Sequence, residues 1–203
     1  MRSEEKDVYI IAGANGSGKT TAAMTILPDF LAIEEFVNAD NIASGLSPLN
    51  PDGMAVTAGK LMIERIKTLI KNKKSFAFET TLSGRSHIRT IKECKKAGYE
   101  PTLIFLWLPN YDLAIRRVES RVKQGGHNIP TKTIIRRYKS CLCNLVEKYI
   151  DICDNVTVYD NSEFIEKGRQ RDIIARKIMG EKLEIINVEK WQQILRVCND
   201  NTI

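Results

Sequence analysis

The stretch Gly13-Ala14-Asn15-Gly16-Ser17-Gly18-Lys19-Thr20 decides how this chain of 203 residues folds. It matches GxxxxGK(S/T), the spacing of a P-loop, in full. The glycines let the backbone curl so that successive N–H groups point at one anion, and the positive end of a following helix strengthens that attraction. In such a motif the lysine bridges the β- and γ-phosphates, and the final hydroxyl is a magnesium ligand.

The motif therefore predicts a site for ATP or GTP together with Mg²⁺. We expect Lys19 to act in catalysis as well as in binding, and Thr20 to contact the metal ion. The expected nucleotide contacts are Gly13, Ala14, Asn15, Gly16, Ser17, Gly18, Lys19, Thr20 and Thr21.

The segments around the motif alternate between strand and helix character. Residues 7–12 predict a strand, and residues 20–27 predict a helix that closes near Pro28. Further strands are expected at 36–38, 75–78, 102–108 and 156–159, and helices at 54–71, 86–97, 112–123 and 131–149, with a loop at 44–51. This order predicts an α/β fold, a parallel P-loop NTPase or kinase-like sheet with helices on both faces.

The chain after residue 160 predicts a small C-terminal appendage. Residues 172–178 and 183–186 flank Gly180 and favour a β-hairpin, although a helix over 170–179 is an alternative. Asn187 is a candidate cap for a final helix through residue 197. We expect one domain over 1–203, with its core at about 7–160 and the appendage at about 161–203.

Composition places the chain among cytoplasmic proteins. It carries five cysteines, an odd number without CxxC spacing, which favours reduced thiols over disulfides or zinc. No apolar run is long enough for a bilayer, so no membrane association is expected. The net charge of +6 is concentrated in residues 116–139, where eight basic residues face one acid. Such a cluster indicates an anionic partner, and the P-loop favours nucleotide phosphates over nucleic acid.

Polar side chains stand where the predicted strands end, which is where ligands bind in parallel α/β sheets. Asp40 follows the second strand, Glu79 with Thr80 ends the third, and Asn110 and Asp112 follow the fourth. One carboxylate could accept the proton of an acceptor hydroxyl while another holds magnesium or substrate. For Asp40, an Asx-turn or a helix N-cap is the alternative.

The basic segment has the arrangement of a lid that brings arginines over a transferring phosphate. Arg117 and Arg121 are four residues apart, hence on one helix face, and Arg136 and Arg137 follow after a loop. Such arginines would neutralise charge that develops in the transition state. The alternative is a basic surface without a catalytic part. His127 is expected to be a loop residue and not a catalytic base.

Five segments taken in order resemble the zeta-toxin family of P-loop kinases, in particular its small stand-alone bacterial members. They are GANGSGKTT at 13–21, FVNADNIA at 36–43, FAFETTLSG at 76–84, RRVESRVKQGGHNIP at 116–130 and IIRRY at 134–138. The resemblance covers about residues 8–161. It implies a kinase that phosphorylates UDP-N-acetylglucosamine on the sugar and is inhibited by an antitoxin protein.

The same resemblance implies roles for individual residues. Asp40 takes the place of the acid that deprotonates the sugar hydroxyl, and Glu79, with Thr80, contacts the substrate. Arg121, with Arg136 or Arg137, stands for the arginines that grip the ATP phosphates, and Arg117 joins the nucleotide contacts. One feature departs from the family: the well-known toxins have Phe-Arg two residues after the aspartate, where this chain has Ile42-Ala43. The resemblance therefore leaves the acceptor open.

The sequence is compatible with three functions. The first is an ATP-dependent phosphotransferase acting on a hydroxyl of a small molecule such as a nucleotide sugar. The second is a kinase of nucleic-acid ends, for which the basic cluster would hold the backbone. Within that cluster Tyr138 is the lone aromatic residue, whereas proteins that bind single-stranded nucleic acid stack successive bases on several aromatic side chains. The sequence therefore disfavours nucleic acid as a partner. The third is a P-loop ATPase.

Overall fold

The computed structural model describes residues 6–126, 128–163 and 172–200, and its centre is one seven-stranded sheet in the order β2-β3-β1-β4-β5-β6-β7. The strands are β1 (Lys6–Gly13), β2 (Phe36–Val37), β3 (Phe76–Thr80), β4 (Tyr99–Trp107), β5 (Asn155–Asp160), β6 (Ile173–Lys177) and β7 (Glu184–Ile185). The first five are parallel, and β6 and β7 add to the β5 edge in antiparallel orientation. The predicted α/β fold is confirmed.

Helices join the strands and cover the sheet. They are α1 (Lys19–Phe30), α2 (Ala39–Leu46), α3 (Ala55–Lys71), α4 (Ser86–Lys96), α5 (Tyr111–Lys123), α6 (Thr131–Asn144), α7 (Ile150–Ile152) and α8 (Val188–Asn199). Neighbouring residues of the central strands point to opposite faces, because side chains alternate along a strand. Ile10 and Leu103 lie in one core cluster, whereas Ile11 and Ile104 lie in a second that includes Leu27 of α1. Helices therefore cover both faces, as the sequence predicts.

The start of the loop predicted at 44–51 was wrong. The segment after β2 forms helix α2 as far as Leu46, so the predicted loop begins later than residue 44. Asn38 makes this helix possible, because its Oδ1 accepts hydrogen bonds from the N–H groups of Asp40 and Asn41 at 2.8 and 3.1 Å. Asn38 is thus the N-cap, and Asp40 lies inside the first turn. Helix α1 ends at Phe30, close to Pro28 as the sequence predicts.

The long helix predicted at 131–149 contains a π-helical turn at Leu145–Tyr149 between α6 and α7. Residues five apart point in different directions on an α-helix, but a π turn brings them together. Asn144 and Tyr149 therefore both reach the loop after β3, where they donate to the carbonyls of Leu82 at 2.7 Å and Gly84 at 3.0 Å. Tyr138 donates to the Leu108 carbonyl after β4 at 2.8 Å. These contacts fix α6 over the carboxyl ends of the strands.

The C-terminal hairpin prediction is confirmed by the antiparallel pairing of β6 with β7. Asn187 caps α8 as expected, accepting from the N–H of Lys190 at 3.0 Å. The Lys190 ammonium lies 2.6 Å from the carboxylate of Asp160, at the end of β5. Burial alone would raise the pKa of Asp160, but hydrogen bonds from Lys190 and Ser162 lower it below its ordinary value. This ion pair connects the C-terminal segment to the carboxyl end of β5, on the same side of the sheet as the P-loop.

Candidate active site

The P-loop is a turn between β1 and α1 whose backbone only glycine permits at critical points. Gly16 has φ 76°, and a Cβ there would lie 2.7 Å from the Ala114 carbonyl of α5. The N–H of Ser17 donates to the Ala14 carbonyl at 3.1 Å, which closes the turn. The Lys19 side chain folds back over it, with Nζ 2.9 Å from the Ala14 carbonyl. The loop is therefore packed tightly against the sheet and α5.

The polar groups of this loop fit a nucleotide phosphate. Asn15 and Ser17 are buried, and their side-chain oxygens have no hydrogen-bond partner among the described residues. Buried polar atoms are rarely unsatisfied, so such atoms around a P-loop indicate groups that a ligand would complete. The first N–H groups of α1 point out of the same turn, as an anion requires. Thr21 is exposed and faces away from the sheet core.

Glu79 lies at the centre of the site. Its Oε2 accepts hydrogen bonds from the Thr20 hydroxyl and the Asn38 amide, each at 2.7 Å. Its Oε1 lies 3.7 Å from the Lys19 ammonium. Glu79 is the fourth residue of β3, so the parallel pairing of β3 with β1 and β2 brings these side chains together. A Thr20 hydroxyl that donates to Glu79 keeps its lone pairs available for a metal ion, as the sequence prediction for Thr20 requires.

Replacing Glu79 with glutamine is expected to lower the free energy of unfolding by about 1–2 kcal/mol, because charge-assisted hydrogen bonds become neutral ones. The uncharged side chain also leaves Lys19 without its counterion. Urea denaturation at pH 7 measures the change.

Glu35→Gln is the matched control for Glu79→Gln. Glu35 pairs with Arg65 at 2.6 Å on the surface, where such pairs contribute about 0.2–1 kcal/mol. An equal decrease in the free energy of unfolding in the two variants would contradict the central place of Glu79.

A cavity of about 270 Å³ opens beside Glu79, on the side away from the P-loop. It lies between β3, α2, α3 and α4, and the ionisable or hydroxyl side chains that line it include Asp40, Asp52, Glu79, Thr80, His87 and Arg137. Asp40 is exposed, and within the described ranges its carboxylate has neither a hydrogen bond nor an ion pair. Because Asn38 caps α2, the Asp40 carboxylate is available to a ligand.

The four arginines of the predicted lid lie in different surroundings. Arg117 of α5 is half-buried beside the P-loop and donates to the carbonyls of Asn161 and Ser162, each at 2.8 Å. Burial lowers the pKa of its guanidinium, which still remains charged. Arg121 is exposed in the last turn of α5. Arg136 is exposed, whereas Arg137 lines the cavity. His127 lies outside the described residues.

Three residues of the site were missed by sequence reasoning. Asn38 donates a hydrogen bond to Glu79 and caps helix α2. Asn161 donates from Nδ2 to the Ser17 carbonyl of the P-loop at 2.6 Å. Both are polar residues directly after a strand, so the strand-end rule could have found them. His87 lies in the first turn of α4, and nothing in the sequence marks it.

The P-loop, the parallel strand order and the carboxylates at the strand ends define a P-loop kinase-like protein. The family model for zeta toxin matches residues 53–170, so the chain belongs to the zeta-toxin family. Family and fold together support an ATP-dependent, kinase-like function. The resemblance inferred from the ordered motifs is confirmed.

Several known proteins are similar to this chain. An uncharacterized protein of Haemophilus influenzae is 33% identical over 126 residues, which are 62% of this chain and 88% of that protein. The crystal structure of AvrRxo1-ORF1:AvrRxo1-ORF2 with sulphate ions is 16% identical, with a TM-score of 0.75 over 98% of this chain and 66% of that one. The PezAT toxin-antitoxin system of Streptococcus pneumoniae is 18% identical, with a TM-score of 0.61 over 98% and 88%. Both structures support the fold.

None of the helices in the described ranges combines the length and apolar character needed to cross a membrane.

Proposed function

We propose that this protein transfers the γ-phosphoryl group of ATP to a hydroxyl of a small molecule bound in the cavity beside Glu79. The observation that carries the proposal is the position of Glu79 itself. One carboxylate contacts Lys19 and Thr20 of the P-loop and also lines the cavity that contains Asp40. Donor and acceptor sites are therefore contiguous, as transfer between two bound substrates requires.

The residues of the donor side bind and orient the phosphates. The loop from Gly13 to Thr20 would surround them with N–H groups, and Lys19 would exchange the Ala14 carbonyl for phosphate oxygens. Thr20 would hold Mg²⁺ with its hydroxyl oxygen while donating its proton to Glu79. Bound ATP–Mg²⁺ supplies the phosphoryl group and a leaving group whose charge the metal neutralises. Arg117 adds a positive charge on the α5 side of the loop.

The residues of the acceptor side prepare the nucleophile. Asp40 would accept the proton of the acceptor hydroxyl as its oxygen bonds to the γ-phosphorus and the bond from that phosphorus to the β,γ-bridging oxygen breaks. Arg137 lines the same cavity and would stabilise negative charge on the transferring group. Arg121 and Arg136 are exposed, and in this proposal their long side chains extend to the nucleotide phosphates.

UDP-N-acetylglucosamine is the first acceptor to test, on the resemblance of the motifs to the zeta toxins. PezAT is described as a toxin–antitoxin system, which supports a protein antitoxin as a partner of this chain too. We place the protein in the cytoplasm, where ATP and nucleotide sugars are available to it.

Incubation with γ-labelled ATP, Mg²⁺ and separate acceptors tests the proposal. The panel contains nucleotide sugars, nucleosides and oligonucleotides, and the expected product is a phosphorylated small molecule. Label on an oligonucleotide end would support a nucleic-acid kinase instead. Release of inorganic phosphate with no labelled acceptor would indicate an ATPase and overturn the proposal.

A further inference from the structure

His87 lines the cavity, and the proposed transfer does not use its chemistry. It belongs to the first turn of α4, and its ring lies against Phe78 of β3, with 5.1 Å between ring centroids and an interplanar angle of 34°. Phe78 is fully buried in the core. The His87 ring therefore packs on a buried residue of the sheet, and His87 also lines the cavity that contains Asp40.

The two ring nitrogens of His87 have different surroundings. Nδ1 is buried, and among the described residues it has no hydrogen-bond partner. A ligand can therefore reach the ring only through Nε2 unless the ring turns. A neutral imidazole carries one proton, and an unpaired buried N–H is rarer in proteins than an unpaired acceptor. The proton then belongs on Nε2, which makes that nitrogen the hydrogen-bond donor of the ring.

The ring is also held uncharged. Burial lowers the pKa of His87 to about 4, so the imidazole is neutral at physiological pH. The charged side chains lining the same cavity are Asp40, Asp52 and Glu79 against the single guanidinium of Arg137. A negatively charged part of a substrate would meet repulsion from these carboxylates. A neutral N–H donor in such surroundings suits an uncharged oxygen.

We propose that His87 determines acceptor specificity by donating a hydrogen bond from Nε2 to an uncharged hydroxyl or amide oxygen of the acceptor. This inference rests on the proposed function, because it names the part of the acceptor that the cavity takes. The bound moiety is a neutral, polyhydroxylated or amide-bearing group such as a sugar ring. Any charged part of the acceptor lies outside the region lined by the carboxylates.

Two variants of His87 separate binding from structure. His87→Phe keeps a ring against Phe78 but removes both nitrogens, including the unpaired buried one. Its thermal stability should be equal to or above that of the wild type, because replacing an unsatisfied buried polar group by an apolar one is neutral or stabilising. His87→Gln keeps an amide N–H near the position of Nε2.

The kinetic measurement uses UDP-N-acetylglucosamine, or whichever panel acceptor the wild type phosphorylates. His87→Phe is expected to raise the acceptor KM by about 3- to 10-fold, the loss of one neutral hydrogen bond. The KM for ATP and kcat should stay within about twofold, and His87→Gln should recover most of the acceptor affinity. An unchanged acceptor KM in His87→Phe overturns the proposal, as does a loss explained by unfolding in the thermal scan.

A second measurement needs no acceptor. The chain has two histidines, so side-chain ¹⁵N NMR gives two sets of signals, and His87→Gln assigns them. At pH 7 the His87 ring should be neutral with its proton on Nε2. A charged ring, or a proton on Nδ1, overturns the proposal. If the wild type phosphorylates no acceptor, the proposed kinase function fails, and this spectrum still decides whether the His87 ring is neutral with its proton on Nε2.

Discussion

Asp40→Asn is expected to lower phosphoryl transfer by about 10²- to 10⁴-fold, the usual contribution of a general base. The asparagine side chain has nearly the same shape, but its amide cannot accept the proton of the acceptor hydroxyl. ATP binding should not change, because Asn38 rather than Asp40 connects helix α2 to Glu79. Transfer from γ-labelled ATP gives the rate, and calorimetric titration with a nonhydrolysable ATP analogue gives the affinity.

Asp112→Asn is a closely matched control. Asp112 is also exposed, and it is also the second residue of a helix that follows a strand and has an asparagine N-cap, here Asn110. It does not line the cavity. We expect its transfer rate to stay within about twofold of wild type, because its side chain is exposed and lies outside the cavity. A phosphoryl-transfer rate in Asp40→Asn equal to that of wild type would show that Asp40 is not the general base.

Gly13→Ala is expected to disable the nucleotide site and to destabilise the fold. Gly13 has φ 148°, a conformation open essentially to glycine alone, and a Cβ there would lie 2.5 Å from both the Leu106 carbonyl and the Ser17 hydroxyl. The strain and the overlap together should cost about 2–4 kcal/mol of stability. A displaced P-loop should weaken ATP binding by about 10- to 100-fold, which corresponds to about 1.4–2.7 kcal/mol.

Gly59→Ala is the control, and we expect it to stabilise the protein where Gly13→Ala destabilises it. Gly59 lies inside α3, and a Cβ there would meet no atom within 4 Å. Alanine should therefore stabilise the protein by about 0.5–1 kcal/mol and leave ATP binding unchanged. Urea denaturation and calorimetric titration of both variants make the comparison. A Gly13→Ala protein as stable and as tight-binding as wild type would contradict the geometry of the loop.

The donor half of the site could be predicted from the sequence because its geometry is local. Eight consecutive residues determine the P-loop, and the strands on either side of β1 contain apolar runs at 76–78 and 103–107 whose burial the sequence indicates. The family followed from the order of several such segments, among them the one at 76–84. None of these conclusions required knowledge of which distant residues meet in space.

The acceptor half depends on contacts that sequence spacing does not encode. Asn38, Glu79 and Thr20 meet only because β1, β2 and β3 are adjacent in the sheet. The extent of α2 was misjudged because Ser44 and Gly45 are typical of loops, whereas the cap at Asn38 favours helix. His87 reaches the cavity through the packing of α4 on Phe78, which no local pattern indicates. The roles of Asp40, Arg121 and Arg136 remain predictions.

The position of β2 at the edge of the sheet has a consequence for how such proteins diversify. The P-loop follows β1, which is hydrogen-bonded to β3 on one side and to β4 on the other. Asp40 of the proposed acceptor site follows β2, which has two residues and, among the described strands, pairs with β3 alone. Substitutions there disturb few backbone hydrogen bonds, so the proposed acceptor site can change without displacing the P-loop. The same scaffold can in this way acquire new acceptors while its donor chemistry stays the same.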